Sequence, residues 1–257
     1  PPEPPPTQPV WQHRRMDKPA YLAALRRDGD AFATACAAAG PEAPVPTCPG
    51  WTVADLTWHL AEVLHFWAGI VADQRDTWEG YVEPERPADA QALMEFYRDR
   101  LEHTLAVLAA ADPAQPNWTW AADHTAGFVI RRMAQETAVH LADAQLAAGL
   151  PPTVEPALAS DGIDEFLEHF LEGQPGAAPI GGSVHIHCTD VAGEWTVRET
   201  DDGAFAVTRE HAKGDCAIRG AAADILLALW RRAPLSTCDV VGDVEVAARF
   251  VAASRLE

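Results

Sequence analysis

The sequence predicts an α+β protein, a four-helix bundle followed by a smaller domain of sheet and covering helices. Three observations point there. Apolar residues recur at three- and four-residue spacing through residues 17–149, as they do on the buried stripe of a helix. Pro151-Pro152 breaks that pattern. Short alternating runs of strand character then begin at Ser183, with helical periodicity returning only near the C-terminus.

The first helix is expected from near Asp17, where Leu22, Leu25, Phe32 and Cys36 share a face, until Gly40-Pro41 stops it. The second has a clear start. Thr52 can cap the first-turn amides and Asp55 can answer it, ahead of the stripe Leu56, Leu60, Val63, Trp67 and Ile70. After a Glu/Pro loop (Glu83 to Pro87), Leu93, Tyr97, Leu101, Thr104 and Leu108 mark a third helix ending near Asp112-Pro113. A Trp-containing loop, Asn117 to Asp123, leads into the fourth. That helix runs from about Thr125 to Gly149, with Val129, Met133, Glu136, His140, Asp143 and Ala147 facing inward. An acidic helix from Pro156 to Leu171 and a Gly/Pro stretch precede three expected strands, at Ser183–Cys188, Glu194–Val197 and Ala204–Val207, read as an antiparallel sheet. Helices over Ala221–Arg232 and Asp243–Ala253 would cover one face.

Composition bounds the function. The 257 residues, 48% of them hydrophobic, suffice for real cores, and no stretch reaches the roughly 20 apolar residues of a membrane helix. The opening Pro1–Pro9 lacks a secretory signal's basic start and apolar core and reads as an extended tail. A net charge of −19 disfavours nucleic acid and anionic membranes as partners. Five scattered cysteines, with no two-residue-gap pair, suggest neither a disulfide framework nor a thiolate zinc site, so a reducing cytoplasm is the expected compartment.

The chemistry concentrates in Glu136-Thr137-Ala138-Val139-His140. Four-residue spacing puts the carboxylate and imidazole on one helix face, where burial without a partner is opposed by several kcal/mol. The pair asks for a metal or an Arg. If the helix carrying His59 packs beside it, His59, Glu136 and His140 supply two imidazoles and a carboxylate, which leave a tetrahedral metal one open position. An open position means catalysis. Spacing alone is weak, since Glu165 and His169 repeat it with no evident third ligand. His185 and His187 share one strand face, but no carboxylate or third His lies at motif distance, so a polar or interface face is preferred to metal binding. Arg231 and Arg232 end a helix, where cations meet the dipole favourably, and the sharper alternative is a clamp for an anionic substrate. Cys48, without a local base, reads as structural.

Residues 48–60 (CPGWTVADLTWHL) and 136–149 (ETAVHLADAQLAAG), in that order, resemble the mycothiol-dependent maleylpyruvate isomerase family. HIHCTDVAGEWTV at 185–197 and RGAAADILLALWRR at 219–232 look like that family's appended C-terminal domain, itself similar to sterol-carrier domains. Beyond the Pro-rich tail over 1–16, the resemblance covers about residues 17–257 and implies a DinB-like metal-binding four-helix bundle over 17–152 and a C-terminal α+β domain over 153–257. It places the metal ligands on the same His59, Glu136 and His140. It also implies an essential C-terminal Arg, for which Arg231 and Arg232 are the nearest matches, a divalent metal such as zinc, and mycothiol as thiol cosubstrate. Leu141-Ala142 and Gln135 depart from the family's frequent Arg-Trp and His, which bears on the substrate pocket.

The implied reaction is cis–trans isomerisation of a conjugated 2-oxo acid, by thiolate addition, rotation and elimination. Full ionisation of a thiol of pKa about 8.5 gains only roughly thirtyfold at neutral pH. Positioning of sulfur against carbon, with effective molarities up to roughly 10⁵ M, must contribute more. Two alternatives stay open. An S-transferase would stop at the conjugate and consume the thiol, and a non-catalytic small-molecule binder would keep the metal for structure.

Overall fold

In a computed structural model the described residues are 15–171, 179–200 and 203–254. Residues 1–14 of the expected tail and most of the expected Gly/Pro stretch lie outside them. The chain divides into two compact units, Met16–Leu158 with Trp230–Arg232, and Ala159–Leu229 with Ala233–Glu257.

The first unit is built on four long helices, α1 (Lys18–Ala39), α2 (Val53–Ala72), α3 (Ala90–Ala110) and α4 (Ala126–Ala147). Each starts at a side-chain cap on an otherwise orphaned amide, Asp17 for α1, Thr52 for α2, Asp89 for α3 and Thr125 for α4. At α2 the full reciprocal box forms, with the Asp55 carboxylate accepting from the Thr52 amide at 2.9 Å. These hydrogen bonds and Arg86, 2.9 Å away, draw the Asp55 carboxyl down to about 2. Thr52→Ala is expected to cost about 1 kcal/mol, read as a lower urea midpoint at unchanged slope.

α1 packs chiefly on α4, and α2 on α3, with α2 also meeting α4. Leu25, Phe32, Leu56, Leu60, Leu64, Leu108 and Val129 are fully buried between them. Gly29 permits the close approach of α1 to α3, because a Cβ there would sit 2.6 Å from Leu101 Cδ2. The Tyr97 hydroxyl donates to the Gly29 carbonyl at 3.0 Å across the same contact.

The second unit holds most of α5 (Pro156–His169), a five-stranded sheet and two further helices. The strands are β1 (Ser183–Cys188), β2 (Glu194–Glu199), β3 (Phe205–Thr208), β4 (Cys216–Gly220) and β5 (Asp239–Gly242), in the order β3-β2-β1-β4-β5. Val184, Ile186, Trp195, Val197, Cys216 and Ile218 are buried. α6 (Ala222–Leu229) and α7 (Val244–Ala253) pack on the sheet.

The sheet is mixed rather than antiparallel, because β1 and β4 pair in parallel while the other three pairs are antiparallel. The chain leaves β3 at one edge and passes β2 and β1 before re-entering the sheet as β4, which keeps the direction of β3 and so runs parallel to β1. β4 and β5 were not expected from the sequence. β5 is an edge strand with mostly exposed side chains, so no apolar alternation marks it. α6 also ends at Leu229, short of the expected Arg232, where Arg231 takes a left-handed φ of 58°. No helix among the described residues is long and apolar enough to cross a membrane.

Candidate metal centre

His59 sits about two turns into α2, and Arg132, Glu136 and His140 follow at four-residue intervals along α4. Packing of α2 on α4 brings them together. Glu136 Oε1 is 3.3 Å from His59 Nε2 and 3.1 Å from His140 Nε2. Its other oxygen accepts from Arg132 Nη2 at 2.9 Å. Of the two partners anticipated for this carboxylate, an Arg is present on one oxygen, while two imidazoles face the other.

Behind His140 lies Asp143, whose side chain is fully buried and accepts from His140 Nδ1 at 2.9 Å. Arg232 grips the same carboxylate with two nitrogens, Nε to Oδ1 at 3.0 Å and Nη2 to Oδ2 at 3.1 Å. The Thr47 hydroxyl donates to Oδ1 and the Cys48 thiol to Oδ2 at 3.7 Å. Trp230 lies against both guanidinium groups, 5.8 Å from Arg132 and 5.9 Å from Arg232.

Burial opposes the charges on Glu136, His140, Asp143 and Arg232, and their neighbours outweigh it. Against its own desolvation, Glu136 is held well below the usual carboxylate range by the His140 charge and by hydrogen bonds from His140 and His59. Burial would lower His140, yet the Glu136 charge and the Asp143 hydrogen bond lift it to about 9. Asp143 is likewise desolvated, but His140 and Arg232 bring it down to about 2. Burial first, and the Asp143 charge second, push the Cys48 thiol up to about 11, so it stays protonated.

The donor set fits a divalent metal. The three ligand atoms of His59, Glu136 and His140 all lie within 4.8 Å of one another. Two imidazoles and a carboxylate are a catalytic zinc donor set, and the Asp143 contact aims Nε2 of His140 inward. A third of the His59 side chain remains exposed, so the cluster has an open side.

Of the other sequence candidates, Arg231 is exposed and Arg232 is the one that reaches Asp143. Glu165 and His169 join no ligand cluster among the described residues. The reading of His185 and His187 as lacking a carboxylate and a third His needs correction, because the fold brings Glu194 and His211 to them. The parts played by Thr47, Arg132 and Asp143 went unread. A signal existed for two of them: Arg132 precedes Glu136 by four residues and Asp143 follows His140 by three, both contact spacings on a helix.

The family profile described as the mycothiol maleylpyruvate isomerase N-terminal domain matches residues 5–145, and that of the family's C-terminal domain matches residues 157–249. No curated protein matches the sequence significantly. Among solved structures, a mycothiol-dependent maleylpyruvate isomerase is similar at 11% identity and a TM-score of 0.58, over 88% of this chain and 93% of that one. A histidine-to-alanine mutant of that isomerase gives the same values, 11% and 0.58. At that identity the likeness concerns the fold.

Proposed function

This chain belongs to the mycothiol maleylpyruvate isomerase family, a family of enzymes, and from that premise we propose that it isomerises a conjugated cis 2-oxo acid of maleylpyruvate type, with mycothiol as cosubstrate. The observation that carries the reading is the convergence of His59, Glu136 and His140 on one open-sided cluster. A divalent metal held by these three, zinc being well suited, would supply a Lewis acid that favours the ionised form of the cosubstrate thiol.

Each surrounding residue has a part in this. Asp143 takes the Nδ1 proton of His140 in a hydrogen bond, which leaves Nε2 as the ligand atom. Arg132 offsets part of the Glu136 charge and fixes its second oxygen. We assign the C-terminal Arg of the family pattern to Arg232 rather than Arg231, since its guanidinium orients Asp143 and through it His140. The chain's own Cys48 is an unsuitable nucleophile, because its thiol is pushed up to about 11. An external thiol is needed. Its sulfur would add to the cis double bond of the substrate, which then rotates as a single bond, and departure of the sulfur would give the trans acid with the thiol returned. The five cysteines are all free, which suits a cytoplasmic enzyme supplied with reduced thiol.

The test is a zinc-reconstituted assay of maleylpyruvate with and without mycothiol, following both the dienol absorbance and free thiol. Isomerisation that needs mycothiol and leaves its concentration unchanged supports the reading. Stoichiometric thiol loss would make the protein an S-transferase. No reaction of either kind, with mycothiol failing to perturb a cobalt-substituted centre, would leave small-molecule binding ahead.

A further inference from the structure

The sheet of the second unit carries a second convergence of ligand atoms. His185 and His187 alternate onto one face of β1, opposite Ile186 and Cys188. Antiparallel pairing then sets Glu194 of β2 directly across from His187. The chain leaves β3 at Thr208 and turns back over this face, where the Glu210 carbonyl accepts from the Thr196 hydroxyl at 3.5 Å. His211 is thereby delivered to the group, its ring 5.1 Å from that of His185.

Three imidazoles compete for one carboxylate oxygen. His187 Nδ1 hydrogen-bonds Glu194 Oε1, His211 Nδ1 stands 2.9 Å from the same atom and His185 Nε2 stands 3.8 Å from it. An oxygen with two lone pairs serves two of them. The third, His185 Nε2, has a side chain only 10% exposed and finds no hydrogen-bond partner among the described residues. A buried nitrogen left in that state is costly, and a lone pair facing a carboxylate oxygen is worse. One cation among the four reverses every sign, accepting lone pairs from three imidazoles and charge from Glu194. Arg219, beside His187 across the parallel pair, has Asp239 3.7 Å away to balance it.

We propose that His185, His187, Glu194 and His211 form a second metal site, which binds a zinc-type divalent cation. All four ligand atoms lie within 4.8 Å of one another. Three imidazoles and a carboxylate select a borderline transition metal over calcium or magnesium, which take oxygen ligands. Four protein ligands close a tetrahedral shell, in contrast to the three of the bundle cluster, so this metal is structural. It pins the segment around His211 to the sheet. Most of the His211 side chain is exposed, which gives the ion its way in.

The test loads chelator-stripped protein with Zn²⁺ alone, removes the excess and counts metal by mass spectrometry. Wild type should retain about two zinc per chain, and His59→Ala, His187→Ala and His211→Ala about one each. His211→Ala, on an exposed position, keeps the test informative if His187→Ala fails to fold. Zinc should also slow amide exchange in residues 209–213 of wild type and of His59→Ala, but not of His211→Ala. A single zinc in wild type that His59→Ala removes would overturn the proposal, as would two zinc ions retained in folded His187→Ala. A single zinc that His187→Ala removes and His59→Ala keeps would uphold it while failing the bundle site.

Discussion

His59→Ala should abolish metal retention in the helical unit and lower turnover by about 10³-fold or more, because the several kcal/mol of transition-state stabilisation a Lewis acid provides convert at 1.36 kcal/mol per decade. The fold should survive. His59 is a third exposed, and its hydrogen bond to Glu136 is 3.3 Å long, so truncation is expected to cost within about 1 kcal/mol. The comparison belongs between metal-free forms of both proteins, since metal binding itself raises the wild-type melting temperature. A pH dependence accompanies it. Without metal His140 is lifted to about 9 and is protonated at neutral pH. Metal uptake must displace that proton, so zinc affinity should rise by about tenfold per pH unit up to about 9 and level off above. Activity retained in a metal-free His59→Ala protein would refute the catalytic reading, whereas a large fall in its metal-free stability would point to an architectural role.

Asp143→Asn should be the more damaging change to the fold. Asp143 is fully buried and holds both Arg232 and His140, so its neutral replacement leaves a guanidinium uncompensated in the interior. Breaking one side of a buried pair costs about 3–5 kcal/mol. The sign with pH follows from its depressed carboxyl, about 2 in the fold against an ordinary 3.8. Its contribution is present above the ordinary value and is lost as pH falls through about 2. Nearly two pKa units correspond to roughly 2.5 kcal/mol of stability lost over that acid window. Denaturant midpoints measured from pH 5 to pH 2 should fall steeply for wild type and less for Asp143→Asn. An Asn variant within about 1 kcal/mol of wild type at pH 7 would show that the Arg232 pair contributes little.

The bundle was legible because its signals are local. The Thr52/Asp55 box, the Gly40 stop at φ 87° and the stripe from Leu56 to Ile70 each lie within a turn or two of what they control. The meeting of His59, Glu136 and His140 was legible for a related reason. Glu136 and His140 are paired by helix geometry, which left a single long-range assumption, that α2 packs beside α4. The sheet was harder. β4 and β5 are short, and their partners are set by a crossover that leaves no mark in residue alternation.

The four-residue group on the sheet shows the same division. That His185 and His187 share a face is a property of any strand. That Glu194 opposes His187 depends on register, and that His211 joins them depends on where the chain turns after Thr208. Likewise the i, i+4 spacing in the chain places Arg132, Glu136 and His140 on one face, whereas the meeting of Asp143 with Arg232, 89 residues away, required folding. Helix and strand periodicities are read over a few residues, so amino-acid order was enough to establish the bundle and the pairing of Glu136 with His140 on α4. Charge compensation, strand register and loop return join residues far apart in the chain, and their outcome rests on packing and on satisfying buried polar groups. Those are settled when the chain closes on itself.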